Sequence, residues 1–128
     1  MELPLREQPV AWARLRVDFN CGLRRGAWYR VVQVAGNDAM LELTPEPVPV
    51  PRRWLETVFH RPFRWSVVPR PRDVHSVPSA WGSRYAVCPV CRTRAPFAGH
   101  PVDLRCPRCH GEFAVAWDER YLAPGRDA

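Results

Sequence analysis

The 128 residues, 46% hydrophobic and 25% charged, suffice for one ordinary domain or two very small ones and exclude large multi-domain enzyme architectures. Fifteen prolines leave little room for long helices, no apolar run approaches the roughly 18 residues of a membrane span, and MELPLREQPV lacks a basic stretch leading into an apolar core, so the expected location is cytoplasmic. The formal net charge of +6 lies mostly in the middle, with +1 over residues 1–43, +4 over 44–86 and +1 over 87–128, which favours nucleic acid or another acidic partner. All 19 basic residues are Arg, and the absence of both Lys and Ile reads as codon bias, so Arg preference by itself says little about phosphate recognition.

Residues 1–12 read as an N-terminal tail. From Ala13 to Asn20 the chain alternates, with Leu15, Val17 and Phe19 on one face and Arg14, Arg16 and Asp18 on the other, as in a half-buried strand. Cys21, with no His within thirty residues, reads as a small buried hydrophobe. Turn chemistry at Gly22 and Gly26 precedes a second strand, Trp28 to Val34, and Gly36-Asn37-Asp38 closes a hairpin onto Met40 to Thr44, where Leu41 and Leu43 share a face. Val48 and Val50 alternate with Pro49 and Pro51, which confines that strand to a sheet edge. Arg52 to Glu56 is expected to make one helical turn before a last short strand, Thr57 to Phe59.

In order and spacing, residues 13–60 resemble an SH3-like β-barrel. WYRVVQV stands as its second strand, and VPRRWLE falls where such domains carry a Pro-containing helical turn. The early Tyr-rich motif and acidic loop of peptide-binding SH3 domains are missing, whereas the related Tudor-like and KOW-like barrels imply nucleic-acid or nucleoprotein binding. Residues 61–84, rich in Pro and Arg without a sustained period, read as a linker packed across the barrel by Phe63 and Trp65.

Between Arg52 and Arg72 lie six Arg, at 52, 53, 61, 64, 70 and 72, against the single acid Glu56, interleaved with Trp54, Phe59, Phe63 and Trp65. Guanidinium groups contact phosphates while rings stack on bases, so Arg52, Arg53, Trp54, Arg61, Arg64, Trp65, Arg70 and Arg72 form the candidate nucleic-acid or partner surface. The competing reading makes the rings core and the Arg their solvated cover.

Cysteine spacing is the most specific signal. Cys88, Cys91, Cys106 and Cys109 form two C-x2-C pairs separated by fourteen residues, which predicts one structural Zn2+ closed by four thiolates. His100 and His110 are the alternative ligands for one position. CPRCH also matches a haem-attachment motif, but that reading leaves Cys88 and Cys91 unexplained. Arg92, Arg94, Arg105 and Arg108 lie around the pairs and offset the −2 charge of a zinc tetrathiolate. CPVC at 88–91, CPRC at 106–109 and the alternation Phe113, Val115, Trp117 resemble a zinc ribbon over residues 85–117, two short hairpins whose turns hold the metal. Pro89 and Pro107 occupy equivalent positions, Gly111 stands where the chain leaves the second turn, and residues 118–128 read as a C-terminal tail.

The resulting expectation is a mainly β protein, a small SH3-like barrel joined by a Pro/Arg-rich linker to a zinc ribbon. No phosphate loop, dinucleotide fingerprint, H-E-x-x-H or G-x-S-x-G is present and the acids are not paired, so no enzyme activity or small-molecule substrate is expected. The expected function is binding of RNA, DNA or a nucleoprotein complex, with a protein adaptor or accessory subunit as the second reading.

Overall fold

Short apolar alternation at the start of the chain makes β1 (Ala11–Leu15), in which Ala13 and Leu15 are completely buried. A loop with Gly22 and Gly26 at positive φ leads into β2 (Tyr29–Ala35), and a tight turn at Gly36-Asn37 reverses the chain into β3 (Asp38–Leu41). Next, β4 (Val48–Pro51) lies at the sheet edge, where the absent amides of Pro49 and Pro51 cost no ladder bond. One 3-10 turn, Arg52–Trp54, delivers β5 (Leu55–Val58) antiparallel against β1, giving the order β4-β3-β2-β1-β5. This curled sheet is the expected small barrel. The computed structural model describes residues 10–72 and 76–122, so residues 1–9 and 123–128 of the expected tails, and 73–75 of the expected linker, lie outside the described residues.

A second five-stranded sheet comprises β6 (Arg64–Pro69), β7 (Arg84–Val87), β8 (Arg94–Ala95), β9 (Asp103–Arg105) and β10 (Glu112–Val115), ordered β8-β7-β6-β10-β9. Two hairpins, β7-β8 and β9-β10, match the ribbon-like arrangement expected around the cysteines. The linker reading of residues 61–84 is corrected at its centre: β6 is the middle strand, antiparallel to β7 and parallel to β10. Its sequence RWSVV hides its period because both faces are covered. Trp65 and Val67 pack toward the cysteines, whereas Ser66 is buried on Arg14 and Val68 enters the barrel-side core. Strand β7 divides the same way, with Tyr85 and Val87 toward the barrel and Ala86 with Cys88 toward the metal site. The second sheet is therefore a partition between two cores, and one face of it completes the barrel.

Further expectations are corrected by that shared core. Strand β1 spans Ala11–Leu15 rather than Ala13–Asn20, so Ala11 and Trp12 belong to the sheet and not to the expected tail, and Arg14, expected on the solvated face, is only 3% exposed. Its guanidinium lies 4.6 Å from the Trp28 ring and 4.1 Å from the Tyr121 ring, and donates to Glu56 at 2.8 Å, Ser66 at 2.7 Å and Glu119 at 3.1 Å. Burial alone would lower the Arg14 pKa, but the hydrogen bonds and charges of Glu56 and Glu119 outweigh it and hold the group above its ordinary value. Residues 118–122 are likewise not a tail: the buried Tyr121 hydroxyl donates to the Leu15 carbonyl and accepts from the Gly26 amide at 3.1 Å. Cys21 is half-buried against the barrel core.

Candidate metal centre and basic surface

Each C-x2-C pair sits at the end of a hairpin. In the first, the Cys88 amide donates to the Thr93 carbonyl and Arg92 to the Cys88 carbonyl; in the second, Cys106 donates to Gly111 and His110 to Cys106. The two turns are thus equivalent in hydrogen bonding as well as in sequence. Their tightness places the residue after the second cysteine at positive φ, 65° at both Arg92 and His110. Gly111 therefore serves another purpose than the turn itself. A Cβ there would stand 2.5 Å from the Phe113 ring, so glycine admits that ring beneath the site.

The four Sγ atoms lie within 4.8 Å of one another, with Cys88 to Cys109 at 3.8 Å and Cys91 to Cys106 at 3.5 Å. Thiolates about 2.3 Å from one tetrahedral ion stand about 3.8 Å apart, so the donor set fits zinc. Backbone amides already point at the sulfurs: Val90 donates to Cys88 Sγ at 3.4 Å, and Arg108 and Cys109 to Cys106 Sγ at 3.4 and 3.5 Å. Burial pushes the Cys88 thiol up to about 12. Burial opposes ionisation of Cys91 as well, yet bonding by Thr93 and the neighbouring thiols brings it down to about 6. Cys88 and Cys91 are thus pushed in opposite directions; a divalent ion held by the four sulfurs would supply the charge that favours their joint ionisation. His100 stacks on Trp117 with ring centroids 4.1 Å apart, and neither it nor His110 belongs to the sulfur cluster.

The candidate binding residues separate into three groups. Arg52, Arg53, Arg61 and Arg72 are exposed, and Trp54 is half-buried, edge-on to Phe19 at 4.8 Å. Arg64 and Arg70 are committed within the fold. Arg64 pairs with Asp118 at 2.7 Å, and Arg70 donates to the carbonyls of Gly82, Val77 and Pro78. Trp65 is fully buried with its indole N–H on the Leu104 carbonyl at 2.9 Å, which removes it as a stacking partner and makes it core of the metal-side cluster. Two rings that the sequence placed between these Arg take the exposed role instead: Phe59 is 70% and Phe63 60% exposed. No family model, curated protein or solved structure matches the chain.

Proposed function

We propose that this chain is a non-catalytic, zinc-stabilised module that binds RNA, DNA or a nucleoprotein complex in the cytoplasm, as a component of transcription or translation type machinery. The observation that carries the reading is the segment 59–63, which presents two solvated phenyl rings with Arg61 between them. Beside guanidinium groups they offer stacking faces for unpaired bases and contacts for the backbone. A four-sulfur centre leaves no open coordination position, which supports a structural metal rather than a catalytic one.

A protein-adaptor function is the second reading, favoured by the same two rings, since solvated aromatics also form the centre of protein interfaces. Fluorescence anisotropy with single- and double-stranded oligonucleotides across a salt series separates the two. Nucleic-acid binding is expected to weaken steeply with salt and to fall by about tenfold or more in Phe59→Ala/Phe63→Ala, with an unchanged melting temperature. Absence of affinity at low salt, with salt-resistant recovery of one protein partner, assigns the chain to the adaptor class.

A further inference from the structure

A cleft of about 600 Å3 opens between the Asn20–Tyr29 part of the barrel and the first cysteine hairpin. Four arginines line it, Arg24 and Arg25 from the barrel and Arg92 and Arg94 from the hairpin, together with Tyr29 and Tyr85, and among the described residues its lining contains no Asp or Glu. The sequence does not group these residues, because folding brings Arg24 and Arg92 together across 68 positions, where an Arg24 guanidinium N–H donates to the Arg92 carbonyl.

Partners at the cleft fix the guanidinium groups without neutralising most of them. Arg92 lies 4.9 Å over the Tyr29 ring and donates to the Trp28 carbonyl at 3.3 Å, and Arg94 donates to the Ser76 hydroxyl at 2.8 Å. Rings, carbonyls and hydroxyls orient an arginine but leave its charge in place. Arg25 has a carboxylate, Asp18 at 2.8 Å. Arg94 Nε is buried and has no hydrogen-bond partner among the described residues. Burial, and after it the proximity of Arg24, holds the Arg94 guanidinium below its ordinary pKa. Cys91 forms part of one wall, so a zinc tetrathiolate offsets some of this charge. Even with its −2 counted in full, the guanidinium groups of Arg24, Arg92 and Arg94 leave the described lining cationic.

We propose that this cleft is a phosphate-binding site, taking the phosphates of a nucleotide-sized ligand or of a nucleic-acid strand. The volume lies in the range of small-ligand sites, and planar guanidinium groups from two walls offer bidentate donors from several directions, which suits a multiply charged phosphate with oxygens on several sides. The hairpin bearing Arg92 and Arg94 carries Cys88 and Cys91 of the sulfur cluster, so a bound metal would fix the spacing of the two cationic walls. For the identity of its ligand as a nucleic acid the site rests on the function proposed above; for its existence it does not.

The test uses the zinc-loaded full chain in reducing buffer at low salt, with inorganic pyrophosphate, a nucleoside triphosphate and a labelled single-stranded oligonucleotide as probes. Amide NMR shifts on pyrophosphate addition are expected to concentrate at residues 22–29 and 92–95. In Arg24→Gln, and more so in Arg24→Gln/Arg94→Gln, affinity is expected to fall by about tenfold or more, whereas Arg30→Gln, at an exposed position of β2 outside the lining, leaves pyrophosphate binding unchanged. If the double variant loses zinc or melts early, the NMR map of the wild type and the exposed Arg24→Gln variant still decide. Absence of shifts with both pyrophosphate and the triphosphate, or shifts centred on residues 52–63, overturns the cleft. Oligonucleotide binding that persists in Arg24→Gln/Arg94→Gln while pyrophosphate binding is lost keeps the cleft as a site for a nucleotide-sized ligand, overturns its use by a nucleic-acid strand and leaves the nucleic-acid function standing. Pyrophosphate or triphosphate binding without oligonucleotide binding keeps the cleft and overturns the nucleic-acid function.

Discussion

Arg14→Met isolates the contribution of a charge that sits between the barrel and the second sheet. Methionine keeps an unbranched apolar stem between Trp28 and Tyr121 while removing the bonds to Glu56, Ser66 and Glu119. Removing one partner of a buried ion pair costs about 3–5 kcal/mol, because the remaining charges stay desolvated. Here the lower end applies, since the side chains of Glu56 and Glu119 retain 38% and 25% of their exposure. Loss of the cation–π contacts adds about 0.5–1 kcal/mol. The total of about 3–4 kcal/mol corresponds to a fall in melting temperature of roughly 10–15 °C for a chain of this length. Circular dichroism melts of zinc-loaded wild type and variant measure it. A fall below about 3 °C would refute the reasoning and return Arg14 to the solvated strand face that its alternation with Leu15 suggests.

Gly26→Ala tests the same junction sterically: at φ 82°, with a new Cβ 2.5 Å from Val68 Cγ2, it is expected to lose more than about 2 kcal/mol in denaturant unfolding. Leu55 is 7% exposed and Trp54 half-buried, so Leu55→Ala is expected to cost about 2–5 kcal/mol and Trp54→Ala less, with the larger effect of Trp54→Ala falling on partner binding; equal destabilisation with binding intact would place the indole in the core. Cys106→Ser is expected to abolish zinc binding and to loosen the barrel as well as residues 85–117, because β6 and β7 present one face to each core. Amide exchange that stays protected in β1–β5 of this variant would show the barrel to be independent. Charge reversal at Arg61 is expected to weaken nucleic-acid binding with little change in melting temperature, whereas reversal at Arg64 also destabilises, since it repels Asp118 and Glu119.

What was legible in the sequence was local. Turn residues at Gly36-Asn37, edge prolines at 49 and 51 and the paired cysteines each act within a few positions, and they located the hairpin, the outer strand and the metal ligands. What escaped depends on contacts distant in the chain. Strand β6 is covered on both faces and shows no polar alternation, so its Pro-rich surroundings made it look like a linker. Arg14 is indistinguishable in pattern from Arg16, and only the arrival of Glu119 and Tyr121 from the far end buries it. The apolar pair Tyr121-Leu122 was the available sign that the C-terminal stretch re-enters the core. At the candidate surface, ring type alone did not separate buried Trp65 from solvated Phe59 and Phe63, because Trp65 lies in β6, covered by its neighbours in the second sheet, whereas Phe59 and Phe63 lie in the connection between β5 and β6.

The central claim is that a single zinc ion, held by Cys88, Cys91, Cys106 and Cys109, organises the second sheet and through it the barrel. Metal analysis combined with X-ray absorption at the zinc edge tests this directly on protein purified reduced and without chelator. The account predicts one zinc per chain with four sulfur neighbours at about 2.3 Å and no nitrogen or oxygen in the shell. Protein that is folded yet metal-free, or a shell containing a histidine nitrogen or a water oxygen, would contradict it.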